Sequence, residues 1–271
     1  MQPSHSFREE CPHNQNTIFR CVESLLTWNM ALRVAVQTLA QSHMTPSTPP
    51  PKRHPYAQWA PDARALDLVG DKWTLLIVRD LAAGPRRFVE LQRVLPGIST
   101  EQLRSRLNRM VADGLLTRQR YREVPPRVDY ELTPRSRELL AVLGALARWG
   151  QEWAWTAPRE GEAIDIGAIL RVAPGLISPV PGITGTVELS VVQPDTSTSH
   201  YSISVARDGV TIAERQAADA AARVAGSEAE WIEALGPGAD RSGLDVTGDE
   251  RLAALVLDGV GASAHGARRA A

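Results

Sequence analysis

The chain has 271 residues, of which 43% are hydrophobic and 23% charged, with a net charge of −1, and this composition excludes a globally disordered protein. No run of about 18 apolar residues is available for a membrane span, and the start lacks the pattern of a signal peptide. Two cysteines, Cys11 and Cys21, fit neither a disulfide framework nor a common zinc pattern. We therefore expect a cytoplasmic protein with no cofactor, no metal and no membrane partner.

Charge is distributed unevenly along the chain. Residues 61–155 carry a net charge of +4, whereas residues 156–271 carry −7. Within the first of these blocks, residues 86–137 hold 12 basic and 6 acidic side chains. This asymmetry predicts one part that binds a polyanion and a second part that stays away from it.

The N-terminal residues 1–60 are predicted to be a disordered extension with a proline-rich linker. A short helix over residues 16–39 is one alternative for the start of this segment. Residues 45–53 are rich in proline and contain no residues that would form a core. Another interpretation is that translation starts at Met44, which immediately precedes the linker.

A helical pattern begins at Pro61. Leu66, Val69 and Trp73 are spaced as one apolar face, and Gly70-Asp71 separates two short helices. Residues 74–83 predict a buried helix that stops at Gly84-Pro85. The apolar face of the next predicted helix consists of Phe88, Leu91, Val94 and Leu95.

A capped helix follows over residues 99–113. Ser99 and Gln102 have the spacing of a capping box, and one core stripe is formed by Leu103, Leu107, Met110 and Val111. Opposite or beside that stripe lie side chains of the kinds that contact base edges: Glu101, Gln102, Ser105, Asn108 and Arg109. Arg104 and Arg106 flank the stripe and suit contacts with phosphates.

A hairpin and a long helix complete this region. Residues 116–121 and 127–132 predict two strands joined by an exposed, proline-containing loop. Four arginines around the loop would make it a DNA-binding wing: Arg118, Arg120, Arg122 and Arg127. The long helix begins at Thr133-Pro134 and carries an apolar face that we predict to form a dimer: Leu139, Val142, Leu143, Leu146, Trp149 and Trp153.

Each of these features also has a simpler explanation. A polar helix face is usually just solvated, and an arginine-rich hairpin can be an edge strand protected from aggregation. Their joint occurrence in this order, within the most basic part of the chain, favours a winged helix-turn-helix over residues 61–155.

Several motifs in this region resemble those of HxlR-type transcriptional regulators, which are dimeric DNA-binding proteins. The matching segments are residues 65–81, 84–91, 95–99, 113–116 and 124–134, so the resemblance covers about residues 60–153. Many members have a cysteine just before the proline of the first helix, and some use it for sensing. This chain has Ala60 before Pro61, so thiol sensing by that residue is excluded.

Beyond a linker over residues 156–163, alternating residues predict a small α+β domain over 164–260 and a disordered tail over 261–271. Strands at 186–192, 201–205 and 210–212 would form an antiparallel sheet with one solvent-exposed face. Helices at 228–235 and 250–257 and a short strand at 244–246 would accompany this sheet. Short motifs at 185–189, 201–205, 223–227 and 244–249 resemble a sterol-carrier-protein-like domain. The resemblance implies an apolar cavity, with predicted walls at Val187, Leu189, Ile203, Val205, Trp231 and Leu235. A filled core in a scaffold domain is the alternative.

The predicted fold class is therefore α+β: a winged helix-turn-helix, mainly α with a β-hairpin wing, followed by a small α+β sterol-carrier-like domain. The predicted function is a homodimeric repressor that binds double-stranded operator DNA, modulated by a hydrophobic small molecule. The alternative is a small-molecule or lipid carrier whose winged domain is only an interaction module. None of the six histidines lies beside a nucleophile motif or in a metal-ligand spacing, so the chain is not expected to be an enzyme.

Overall fold

The computed structural model describes residues 55–122 and 127–261. The predictions for the N-terminal helix, for Cys11 and Cys21, for the tip of the hairpin loop and for the tail beyond residue 261 lie outside the described residues. No helix in the described ranges is long and apolar enough to cross a membrane.

The first half of the described chain forms a winged module of helices and a small sheet. Its elements are α1 (Pro61–Val69), α2 (Thr74–Asp80), β1 (Arg86–Arg87), α3 (Phe88–Val94), α4 (Thr100–Ala112), β2 (Leu116–Tyr121), β3 (Arg127–Leu132), α5 (Pro134–Arg137) and α6 (Leu139–Trp153). The strands lie in the order β1-β3-β2, and both pairings are antiparallel. Ile77, Leu91 and Leu107 are fully buried in the core that these elements enclose. The predicted helix-turn-helix with a hairpin wing is confirmed.

Four local expectations for this module are corrected. The helix predicted over residues 74–83 ends at Asp80, and Leu66 is 47% exposed instead of lying in the core. The short strand β1 was not predicted, because two arginines carry no strand pattern. The long last helix is divided into α5 and α6, and the buried Ser136 in α5 donates a hydrogen bond to the Leu115 carbonyl at 2.5 Å.

The second half forms a sheet module. Its elements are α7 (Ile166–Leu170), α8 (Ala173–Leu176), β4 (Gly185–Val192), β5 (Thr198–Ala206), β6 (Gly209–Ala213), β7 (Ala222–Ser227), α9 (Glu228–Leu235), β8 (Asp245–Gly248) and α10 (Glu250–Val260). The sheet has the order β6-β5-β4-β7-β8. α9 and α10 pack against β4 and β7, and their buried side chains, Trp231 and Leu252 among them, complete the second core.

The three predicted strands do pair antiparallel, but the sheet also contains a parallel pair that was not predicted. β4 and β7 run parallel, with Leu189 opposite Val224, and only the other three pairings are antiparallel. β7 was missed because its small residues have weak strand propensity, and α7 and α8 were missed because they are only five and four residues long. The resemblance to a sterol-carrier-like domain stays a prediction.

The two modules pack directly against each other. Ala82, just after α2, belongs to the core of the sheet module, whereas Val172, just before α8, and Leu176 of α8 belong to the core of the winged module. α6 and α8 approach so closely that a Cβ atom added to Gly144 would lie 1.8 Å from the Gly175 carbonyl oxygen. The winged module is therefore fixed to the sheet module through shared core residues and backbone contact.

Candidate nucleic-acid interface

Helix α4 presents one face to the core and the other to solvent. The predicted capping box is confirmed: the Gln102 amide donates to Ser99 Oγ, and the Ser99 amide donates to Gln102 Oε1, both at 3.2 Å. Leu103, Leu107 and Met110 are fully buried. Since the buried stripe fixes the helix rotation, the opposite face is directed away from the core.

The turn between α1 and α2 fixes the position of α4. Asp71 Oδ1 accepts from the amides of Trp73 and Thr74 at 2.9 and 3.1 Å, which satisfies two backbone donors at the start of α2. The same carboxylate forms an ion pair with Arg106 at 3.0 Å, and this pair is largely buried. Arg106 therefore holds α4 against the α1–α2 turn, and its role as a phosphate ligand stays a prediction.

Two other α4 residues predicted to contact DNA interact with other groups of the same helix. Arg109 forms an ion pair with Asp113 one turn later at 3.1 Å, and both side chains are mostly buried. The side-chain oxygen of Gln102 is used by the capping box. The helical wheel placed both residues on the outer face, but it does not show which polar groups pair with each other.

Five of the predicted α4 residues are exposed: Glu101, Gln102, Arg104, Ser105 and Asn108. Glu101 and Arg104 form an ion pair at 3.1 Å that is open to solvent, and such a pair is worth little and separates readily. Ser105 and Asn108 lie one turn apart, so their side chains are neighbours on this face. The outer face of α4 can therefore offer hydroxyl, amide and guanidinium groups to a ligand surface.

The wing extends from the winged module along β2. Every β2 residue after Leu116 is exposed, including Arg118 and Arg120, and Arg122 beyond its end is exposed as well. Arg127 differs, because its guanidinium forms an ion pair with the buried Asp129 at 2.5 Å and lies 5.2 Å from the ring centre of Tyr121. Three of the four predicted wing arginines are thus exposed, and Arg127 forms its ion pair at the loop end of the hairpin, where β3 begins.

The apolar face of α6 is divided between the core and the surface. Val142, Leu146, Trp149 and Trp153 form one stripe in which each side chain is 50–59% exposed. Leu143 is only 5% exposed and belongs to the core of the winged module, and Leu139 is half-buried against the same core. The prediction of Leu143 as a dimer contact is corrected, because its side chain is buried in the core of its own module.

The predicted ligand cavity inside the sheet module also needs correction. Its six proposed wall residues are at most 3% exposed and belong to one packed core: Val187, Leu189, Ile203, Val205, Trp231 and Leu235. The Trp231 indole is satisfied by the Ser190 carbonyl at 3.0 Å. A cleft does exist, but it lies where the two modules meet, and of these six residues only Leu235 lines it.

Sequence reasoning missed Asp71 as a positioning residue. The sequence pattern indicates only a turn at this residue, although its carboxylate accepts from two amides at the start of α2 and holds Arg106. The signal was present, since an aspartate three residues before a threonine at a helix start is typical of an N-cap.

Residues 68–157 match the model of the HxlR-like helix-turn-helix family. The chain is 42% identical over 93 residues to the HTH-type transcriptional regulator sll1512 of Synechocystis sp., a match that spans 34% of this chain and 69% of the relative. The chain belongs to the HxlR-like helix-turn-helix family. Its winged module is thus a DNA-binding module of the transcriptional-regulator type, and relatives from Synechocystis, Mycobacterium tuberculosis and Bacillus subtilis are named as regulators and not as enzymes.

Other transcriptional regulators are similar to about a third of this chain. YkvN of Bacillus subtilis is 36% identical over 96 residues, which cover 35% of this chain and 81% of YkvN. The regulator Rv3095 of Mycobacterium tuberculosis is 47% identical over 90 residues, which cover 33% of this chain and 56% of the relative. Among solved structures, reduced YodB from B. subtilis is 32% identical, with a TM-score of 0.33, over 36% of this chain and 96% of that chain.

Proposed function

We propose that this HxlR-like protein is a homodimeric repressor that binds operator DNA in a sequence-dependent manner. The observation that carries the proposal is the exposed polar face of the capped helix α4 beside the exposed arginines of β2. A helix of this kind fits the major groove, and a neighbouring cationic strand suits the phosphate backbone. Repression is the simpler outcome, because it needs only that the bound protein occupies the operator.

The exposed stripe of α6 supports a dimer. Val142, Leu146, Trp149 and Trp153 repeat every three or four residues, so they form one apolar ridge about three turns long. Tryptophan is enriched in the centres of protein interfaces, and a ridge on one helix can pack against its own copy across a two-fold axis. In the proposed dimer the two α4 helices lie about 34 Å apart, one turn of DNA.

The sheet module is proposed to be an accessory domain of the sterol-carrier-like type. Its acidic surface would be repelled by DNA, so it would lie away from the operator. Modulation of the dimer by a hydrophobic small molecule is part of this proposal. A carrier whose winged module is only an interaction module is not favoured, because the relatives of that module are transcriptional regulators.

The first test separates phosphate contacts from base contacts. Arg120→Ala should weaken binding to operator and unrelated DNA by a similar factor, because a phosphate contact carries no sequence information. The slope of log K against log salt should become shallower by about one unit per protomer, or about two per dimer. Asn108→Ala should instead cost roughly 1–3 kcal/mol on the operator and relax the preference at one base pair.

Gel-shift titrations at several salt concentrations measure both effects, with an operator first selected from fragments of genomic DNA. Arg207→Ala, an exposed arginine at the turn between β5 and β6, is the matched control and should leave the slope unchanged. If Asn108→Ala and Arg120→Ala lower affinity equally on all sequences, the assignment of base contacts to α4 is wrong.

The second test concerns the dimer. Leu146→Glu combined with Trp149→Glu places charges in the centre of the proposed interface, so the protein should sediment as a monomer. Since each operator half-site would then be bound independently, operator affinity should fall by about 100-fold or more. Analytical ultracentrifugation measures the mass, and circular dichroism verifies that the winged module is folded. A doubly substituted protein that keeps the mass of a dimer would contradict this interface.

A further inference from the structure

A cleft of about 980 Å³ lies where the two modules meet. Its winged side includes Trp73, Leu76 and Ala147, and its opposite side includes Ile169, Ile232 and Leu235. Pockets for organic ligands usually have volumes of about 300–1,000 Å³ and mainly apolar walls with a few polar groups. The size and the walls of this cleft match that description.

One end of the cleft is polar and contains a buried tyrosine. Tyr201 is only 6% exposed and lines the cleft, and burial raises the pKa of its phenol, which therefore stays protonated. Its hydroxyl has no hydrogen-bond partner among the residues that the structure describes, yet the oxygen is not completely buried. A nearly buried hydroxyl that faces a cleft without a partner is the group that a ligand would satisfy.

The hydroxyl is held in place by the packing of α7. A Cβ atom added to Gly167 would lie 2.3 Å from the Tyr201 hydroxyl and 2.8 Å from Arg171 Nη2. The glycine therefore leaves room for both groups to lie side by side at this end of the cleft. Arg171 itself is already paired with Asp80, Asp165 and Glu214 at 2.6–3.1 Å.

The charges at this end balance. Three guanidinium groups face three carboxylates in a connected set of ion pairs: Arg79, Arg86 and Arg171 with Asp80, Asp165 and Glu214. Because each of these three cations has an acidic partner, a charged group at this end of the cleft would have to displace an existing pair. A neutral ligand with a hydroxyl or carbonyl group can bind Tyr201 without disturbing these pairs.

We propose that this cleft is a binding site for a neutral, largely apolar molecule that carries a hydroxyl or carbonyl group. The apolar portion packs between the two modules, and the polar group exchanges a hydrogen bond with the Tyr201 hydroxyl. The proposal is independent of DNA binding, because it concerns only the contact between the two modules of one chain.

The test uses the full chain and the neutral fluorophore N-phenyl-1-naphthylamine, displaced by three competitors of similar size. Neutral 1-naphthol should displace the fluorophore better than naphthalene by about three- to tenfold, the effect of one net hydrogen bond. The anion 1-naphthoate should be a weaker competitor than 1-naphthol. Tyr201→Phe keeps the shape of the ring, so it should retain fluorophore binding and abolish the advantage of 1-naphthol.

A second variant tests the location. Ala168 lines the cleft on α7, so Ala168→Trp should fill it and weaken fluorophore binding by about tenfold or more. The matched control is Ala218→Trp, because this position is exposed and does not line the cleft. The control should bind the fluorophore with the affinity of the parent. If Ala168→Trp fails to fold, Leu76→Trp fills the opposite wall.

Three results would overturn the proposal: unchanged fluorophore binding in the filled variant, an advantage of 1-naphthol that survives in Tyr201→Phe, or stronger competition by 1-naphthoate. Unfolding temperatures of each variant separate loss of the site from loss of the fold.

Discussion

Gly144→Ala is expected to destabilise the protein by at least about 1–3 kcal/mol, the usual cost of forcing extra atoms into a packed interior. The new methyl group would lie 1.8 Å from the carbonyl oxygen of Gly175, and α8 is held there by other contacts. In the other direction, a Cβ on Gly175 would lie 1.9 Å from the Leu140 carbonyl oxygen. Both clashes are with backbone, so no side-chain rotation relieves them and the two helices must separate.

Urea unfolding of the full chain measures this loss, and a second glycine of the same helix provides the control. Gly150 is also inside α6, but a Cβ added there would meet nothing within 4 Å. Gly150→Ala should therefore stabilise the protein by roughly 0.5–1 kcal/mol, because alanine restricts the unfolded chain and favours the helix. Equal effects of the two substitutions would show that the α6–α8 contact carries no constraint.

Arg171→Met is expected to cost about 3–5 kcal/mol, because it removes one partner from a buried set of ion pairs. The Arg171 side chain is 4% exposed, and Asp80 beside it is fully buried. Although burial alone lowers the pKa of Arg171, Asp165, Glu214 and Asp80 raise it above its usual value, so the arginine is always charged in the parent. In the variant, Asp80 keeps Arg79 but loses its link to the sheet module.

The pH dependence of this variant follows from Asp80. Burial raises the pKa of that carboxyl, although Arg79, Arg171 and Arg86 oppose the shift, and removal of Arg171 raises it further. A carboxyl with a raised pKa binds a proton more tightly in the folded state, so its stability contribution falls as pH rises above about 3.9. Relative to the parent, Arg171→Met should thus lose the most stability at neutral pH and less stability in acid.

A double substitution isolates the interaction between the two modules. Arg171→Met combined with Asp80→Asn leaves no carboxylate at position 80. The doubly substituted protein should therefore lose less free energy of unfolding than the two single variants lose in sum. Unfolding measured at neutral pH and near pH 4 provides the comparison. Strict additivity of the two single changes would contradict the coupling of Asp80 and Arg171.

The winged module was largely predictable from the sequence. Ser99 and Gln102 give a local capping signal, the stripe from Leu103 to Met110 fixes the rotation of α4, and prolines limit the hairpin loop. These signals act within a few residues, and physical rules for local structure are strongest over such distances. The order of the elements followed from the same local patterns, and the family resemblance agreed with it.

What could not be predicted depends on contacts between distant residues. The helical wheel placed Arg106 on the surface, but its partner Asp71 lies in the distant connection between α1 and α2, and only the folded chain brings the two side chains to 3.0 Å. Alternation along β4 and β5 indicated buried side chains but could not distinguish a filled core from a cavity wall. The contact of Gly144 with Gly175 likewise has no local signature, because neither glycine lies in a pattern that marks a close approach.

The exchange of core residues between the modules has a consequence for biosynthesis. The winged module leaves the ribosome first, but Val172 and Leu176 of its core are synthesised only after the linker that follows α6. Until they arrive, the apolar surface that they cover stays open to solvent. A nascent chain that stalls within the linker would thus expose this surface together with the Trp149 and Trp153 stripe, and would be a natural client for chaperones.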